Sequence, residues 1–101
     1  METNEFAYGP WDCIADINRT EMGRIVIRII NAETQKTITF ITIIMPEEEI
    51  GVDETIIDIR GDEDIPEYLI DAGILIEHIR DIEFQGWEFP VYRLSPEYVP
   101  S

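Results

Sequence analysis

Two runs, Arg24–Ile30 (RIVIRII) and Lys36–Met45 (KTITFITIIM), constrain the fold more than any other part of the chain. Twelve of their seventeen residues are Ile, Val or Thr, and eight are isoleucine. Side chains branched at Cβ lose rotamer freedom in a helix and suit a pleated, half-buried surface. Ile25, Ile27 and Ile29 recur at a period of two, which puts them on one strand face; Arg24, Val26, Arg28 and Ile30 take the other. NAETQ (Asn31–Gln35) between the runs reads as a hairpin loop. Isoleucine occurs 20 times in 101 residues, so the lean toward β-structure extends to the whole chain. That length fits one domain over residues 1–101, and a chain of this size buries roughly two-thirds of its unfolded surface.

The remaining elements follow from local signals. Residues 1–9 are expected to be a loose leader. Trp11, Cys13, Ala15 and Ile17 alternate and predict a strand over 11–17, closed by a turn at Asn18–Gly23. Pro46 ends the second isoleucine run, and EEEIGVDE follows as a charged loop. TIIDIR (Thr55–Arg60) predicts a short strand. DEDIPEYLIDAG predicts a short helix: Asp64 is the expected N-cap, Glu67 three residues later completes a capping-box pattern, Pro66 falls in the first turn, and Gly73 marks the stop. Ile65, Leu69 and Ala72 share its inner face. IRDIEF (residues 79–84) predicts a strand with Ile82 and Phe84 inward. After a turn at Gln85-Gly86, WEFPVYRL (Trp87–Leu94) predicts a last strand, and Pro90 within it argues for an edge position or a bulge. Residues 95–101 are expected to be a tail. The expected architecture is α+β: an antiparallel sheet of five to six strands carrying one short helix, in the order β-β-β-β-α-β-β.

The C-terminal half carries a strand ending in Ile57-Asp58, a helix ending at Gly73 and a final strand with Pro90, Tyr92 and Arg93. In this order it resembles small uncharacterised α+β proteins of bacterial mobile elements. The resemblance implies the fold class and a mobile-element setting, and no activity.

Charge narrows the function classes. The chain carries 22 acids against 7 bases, a formal net charge of −15. Residues 1–46 have a net charge of −2 and residues 47–101 a net charge of −13. Such a field opposes contact with nucleic acid or anionic lipid and favours basic surfaces. One cysteine, Cys13, excludes an internal disulfide, and its place on an apolar strand face suits a small buried hydrophobe. One histidine, His78, and one cysteine far apart in sequence do not make a zinc site. The loop GDEDIPE lacks the EF-hand spacing. No nucleophile elbow, Walker loop or dinucleotide fingerprint is present. No catalytic residue, metal or cofactor is assigned. A carboxylate pair doing acid–base work is the weakest of three readings, because 22 acids will produce close pairs by chance. A cytoplasmic setting is expected from the absence of a signal-peptide pattern and of a long apolar run.

The leading expectation is a non-enzymatic acidic protein that blocks a nucleic-acid-handling enzyme by occupying its basic surface. An inhibitor of the anti-CRISPR or antirestriction type, carried by a phage or mobile element, fits the size and charge. Its partner-binding residues are expected to be Glu47, Glu48, Glu49, Asp53, Glu54, Asp62, Glu63 and Asp64. The alternative is a small accessory domain, acidic for solubility, that meets its partner through an aromatic patch of Trp87, Phe89, Tyr92 and Tyr98. An unpaired edge at residues 87–94 or 11–17 offers a route to a homodimer.

Overall fold

The computed structural model describes residues 5–100. The chain forms β1 (Glu5–Tyr8), β2 (Trp11–Arg19), β3 (Ile25–Asn31), β4 (Thr37–Phe40), β5 (Glu54–Ile56), α1 (Ile65–Asp71), β6 (Leu75–Phe84) and β7 (Trp87–Leu94), then a 3-10 turn at Pro96–Tyr98. Two antiparallel sheets result, one of four strands ordered β1-β2-β3-β4 and one of three ordered β5-β7-β6. The α+β class and single helix are as expected; the strand count and the division into two sheets are not. Glu5–Tyr8, expected as leader, pairs with β2 in the register Phe6↔Cys13 and buries Phe6. The second isoleucine run leaves the ladder at Phe40, and its remainder turns across to meet β5.

That turn joins the sheets. Ile43 N–H donates to Ile56 O at 3.0 Å and Asp58 N–H to Ile41 O at 2.8 Å, on either side of a single bridge between Thr42 and Ile57. Two threonine hydroxyls complete the junction. Ile27 N–H donates to Thr42 Oγ1 at 3.2 Å, and the Thr55 hydroxyl donates to Ile25 O at 3.0 Å. Thr55, 1% exposed, is the one fully buried polar residue among those described, and its hydroxyl has a partner, as burial requires.

Two apolar clusters follow from the pleat. The larger gathers Ile25, Ile27 and Ile29 of β3 with Cys13, Ala15, Ile57, Leu69, Leu75 and Leu94; Tyr98 and Val99 of the expected tail also pack on it. The smaller holds Ile56, Ile82, Phe89 and Val91 under Met45, with Ile43 and Ile50 packed alongside. The segment from Ile43 to Ile50 thus roofs the outer face of the second sheet. Phe84, expected inward, is half exposed at the margin of this roof, beside Ile43–Glu48.

The helix starts differently from its sequence pattern. Asp64 occupies the N-cap with φ −88° and ψ −2°, a helical rather than extended backbone, and its side chain makes no cap hydrogen bond. Capping geometry needs an extended N-cap, so the capping box does not form. Asp62 acts instead: its Oδ1 accepts the Asp64 N–H at 2.9 Å in a local turn. The stop at Gly73 is as expected. With φ +78° it lets Ile74 N–H reach Leu69 O and its own N–H reach Ile70 O, the paired bonds of a Schellman ending.

Pro90 does not mark an edge. β7 lies between β5 and β6, and β2 lies between β1 and β3, so neither strand expected to offer an edge does so. Ile57 N–H donates to Pro90 O at 2.9 Å. A residue's N–H and C=O point to the same side of a strand, so the proton that Pro90 lacks would have faced Ile57, just past the last residue of β5. The outer strands of the second sheet are β5, whose end is met by residues 41–43, and β6. In β6, bulges between Leu75 and Glu77 and between His78 and Arg80, together with the strand's charged residues, blunt the edge against pairing with another chain.

Candidate functional site

The acids singled out in the sequence separate into two groups. Glu47, Glu48, Glu49, Asp53 and Glu54 lie on the roof and its exit, where arginines pair with the carboxylates of Glu48, Asp53 and Glu54. Arg80 lies 3.5 Å from Glu48 and donates to Glu49 O at 2.7 Å. Arg93 lies 3.3 Å from Asp53 and 3.8 Å from Glu54, and also pairs with Glu77. Arg24 donates to the backbone carbonyls of Pro46 and Glu48. Glu54 further accepts the Gly51 N–H at 2.8 Å. Much of the charge in this group is compensated, and its arrangement serves to pin the roof. Glu47 and the Glu49 carboxylate have no cation partner among the described residues.

Asp62, Glu63 and Asp64 lie elsewhere, on the turn into α1. Asp62 is structural: its Oδ2 accepts the Tyr8 hydroxyl at 2.9 Å and its Oδ1 holds the Asp64 amide. Burial, reinforced by the Asp62 hydrogen bond and charge, pushes the Tyr8 hydroxyl up to about 12. Upstream, Arg60 clamps Asp58 through Nε at 2.9 Å and Nη2 at 2.8 Å. The Arg60 hydrogen bonds hold the Asp58 carboxyl below its ordinary range.

Folding brings together acids that the sequence keeps apart. A groove of about 680 Å³ runs between the start of α1 and the β6–β7 hairpin. Its walls carry Glu63 and Glu67 on one side and Asp81, Glu83 and Glu88 on the other, with Trp87 and Tyr92 among them and no basic residue. Glu83 and Glu88 are direct cross-strand partners, and like charges placed so are mutually destabilising. Asp81 accepts or shares a proton with His78 Nε2 at 2.8 Å, and the His78 ring stacks on Tyr92 with centroids 5.1 Å apart. Burial, then the charges of Asp81 and Glu67, raise the Tyr92 hydroxyl above its ordinary value, so it stays protonated. No cation lies within ion-pair distance of Glu63, Glu67, Glu83 or Glu88 among the described residues.

Glu63 is the one member of the expected set that lines this groove. A strand with Ile82 inward turns Asp81 and Glu83 outward, but nothing local says which element an outward face will meet. The aromatic residues do not form a patch. Phe89 is buried in the smaller cluster, Tyr98 packs on the larger, and Trp87, 41% exposed, stands at the groove.

No group of three or more His, Cys, Asp or Glu among the described residues is arranged to hold a metal ion. The groove carboxylates are thus spread along a surface rather than converged on a point. Cys13 is buried and its thiol is pushed up by that burial, which leaves little thiolate for nucleophilic chemistry. No helix among the described residues is long and apolar enough to cross a membrane. No family model, no curated protein and no solved structure matches the chain.

Proposed function

We propose that the chain is a non-enzymatic binding protein that occupies a basic nucleic-acid-binding surface by charge mimicry, as an inhibitor of the anti-CRISPR or antirestriction type in a phage or mobile-element setting. The observation that carries the reading is the groove with five carboxylates and no base. A row of separated negative charges on a rigid sheet and helix suits a partner that presents several Lys or Arg side chains in place of phosphates. Long-range attraction to a net charge of −15 would speed the encounter. The Glu83–Glu88 pair costs stability in the free protein, and a bound cation relieves it.

The exposed ring of Trp87 at the same groove supports the second reading, an accessory domain gripping its partner through the aromatic strand. One experiment separates them: capture from bacterial lysate on the immobilised chain, washed at about 0.1 M and about 1 M salt, where the Debye length falls from about 10 Å to about 3 Å. Mimicry requires a nucleic-acid-handling enzyme held at low salt, released at high salt, and not captured by the double variant Glu63→Lys/Glu88→Lys. That variant takes the groove from five negative charges to a net of one. Equal capture by the variant refutes mimicry; a partner that withstands high salt points to the aromatic strand.

A further inference from the structure

On the other side of the turn that leads into α1 lies a second cleft, of about 350 Å³. Its walls include the rings of Tyr8, Trp11 and Phe40 and the carboxylates of Asp58 and Asp62. Two of these rings are exposed where burial would be expected: Phe40 is 62% and Trp11 48% exposed. Trp11 opens the alternation that buries Cys13 and Ala15 yet does not join the core with them.

The cleft is built rather than incidental. The Tyr8 ring meets Tyr68 edge-on, with centroids 5.0 Å apart, and lies 6.4 Å from Trp11 at a tilt of 52°. Its hydroxyl is tied to Asp62 at 2.9 Å, and the Asp62 carboxylate is tied again to the Asp64 amide. Asp58 is held by Arg60. The Tyr8 ring and both carboxylates are therefore oriented before any ligand arrives, which lowers the ordering cost of binding.

We infer that this cleft binds the side chain of a lysine or arginine. Aromatic faces attract organic cations through the ring quadrupole, and the Asp62 carboxylate, whose partners are a hydroxyl and an amide rather than a cation, supplies the counter-charge; Asp58 is already paired with Arg60. A nucleobase would stack on the same rings, but its phosphates would meet Asp58, Asp62 and the field of the whole chain. The volume lies at the low end of small-molecule sites, which run from about 300 Å³, and so suits a single side chain rather than a cofactor. For the source of that side chain the inference rests on the basic partner proposed above; for the cleft itself it does not.

The test is an NMR titration of the full chain, 15N-labelled, with three probes: Nα-acetyl-lysine methylamide, Nα-acetyl-arginine methylamide, and the uncharged norleucine analogue. Saturable shifts of the Trp11 indole and the Gly61 amide with a cationic probe, and none with norleucine, are expected. Phe40→Ala and Trp11→Ala should each weaken that binding by about two- to fivefold. Both alter exposed rings, and the spectrum of each variant reports its folding. Equal response to norleucine would make the cleft a generic apolar pocket and overturn the inference. Shifts confined to Glu63, Glu67, Glu83 and Glu88 would overturn it while leaving the groove reading intact. Shifts in the cleft alone would sustain it and count against the groove.

Discussion

Thr55→Val tests the claim that threonine hydroxyls hold the two sheets together. Valine closely matches the shape of threonine, so the change removes one hydrogen bond and little else. The Thr55 hydroxyl is fully buried and donates to Ile25 O at 3.0 Å across the junction. Leaving a buried acceptor without its donor costs about 1–3 kcal/mol. The added methyl recovers about 0.8 kcal/mol by burial. The net loss is then about 0.2–2 kcal/mol, and for a domain of this size about 4–8 °C of melting temperature accompanies each kcal/mol. Urea and thermal unfolding measure the total. Hydrogen exchange measures its location: the Ile43 and Asp58 amides, which bridge the sheets, should exchange faster, whereas the long β6–β7 ladder should not. A variant at least as stable as the parent, or one whose exchange rises equally everywhere, would refute the junction argument.

Three further outcomes are expected. Glu88→Lys turns the Glu83 pair from repulsive to attractive, so the melting temperature should rise at low salt and the gain should shrink at 1 M salt; a gain indifferent to salt would mean that charge is not the cause. Tyr8 keeps its proton to about pH 12 when folded, against an ordinary 10.0 when unfolded, so its stabilising effect is complete below about pH 10 and is lost as pH rises from 10 to 12. Absorbance titration should show a late-ionising tyrosine that Tyr8→Phe removes, and complete ionisation of all four tyrosines by about pH 10.5 would contradict the assignment. Gly73→Ala should destabilise by about 1–2 kcal/mol on unfolding, because φ is +78° there and not because space is short; Gly73→Asn should cost less, and equal losses would point to packing instead.

Which parts of the fold could be read from the sequence follows from the range of the forces involved. Alternation in RIVIRII is a local property, and Ile25, Ile27 and Ile29 are buried as it requires. Gly73 is a local stop, and the helix stops there. EFAY at Glu5–Tyr8 is too short to show a period, so β1 emerges only once Phe6 finds Cys13. The capping box failed although its residues were present, because Asp62, two positions upstream of Asp64, captured the amide first. The candidate site was the least legible. Acid density along the chain is visible, but which acids are neutralised depends on Arg80 and Arg93, some 30 to 40 residues away from Glu48, Asp53 and Glu54. The groove joins residues 63–67 to residues 81–88, a pairing set by the hairpin's docking rather than by any spacing.

The proline in the middle of β7 has a consequence for how the surface is divided. Ile57 donates to Pro90, but no return bond can come from a nitrogen without hydrogen, so β-pairing loses its reciprocity there and stops. Beyond Asp58, whose amide still binds Ile41 O, the stretch to Pro66 supplies one bank of the acidic groove and one bank of the aromatic cleft. An alanine at position 90 would restore the missing donor and allow the ladder to advance by another pair, a change that protection of the new amide in hydrogen exchange would reveal. One imino acid in β7 thus sits where the strand pairing ends and the stretch bordering both concavities begins.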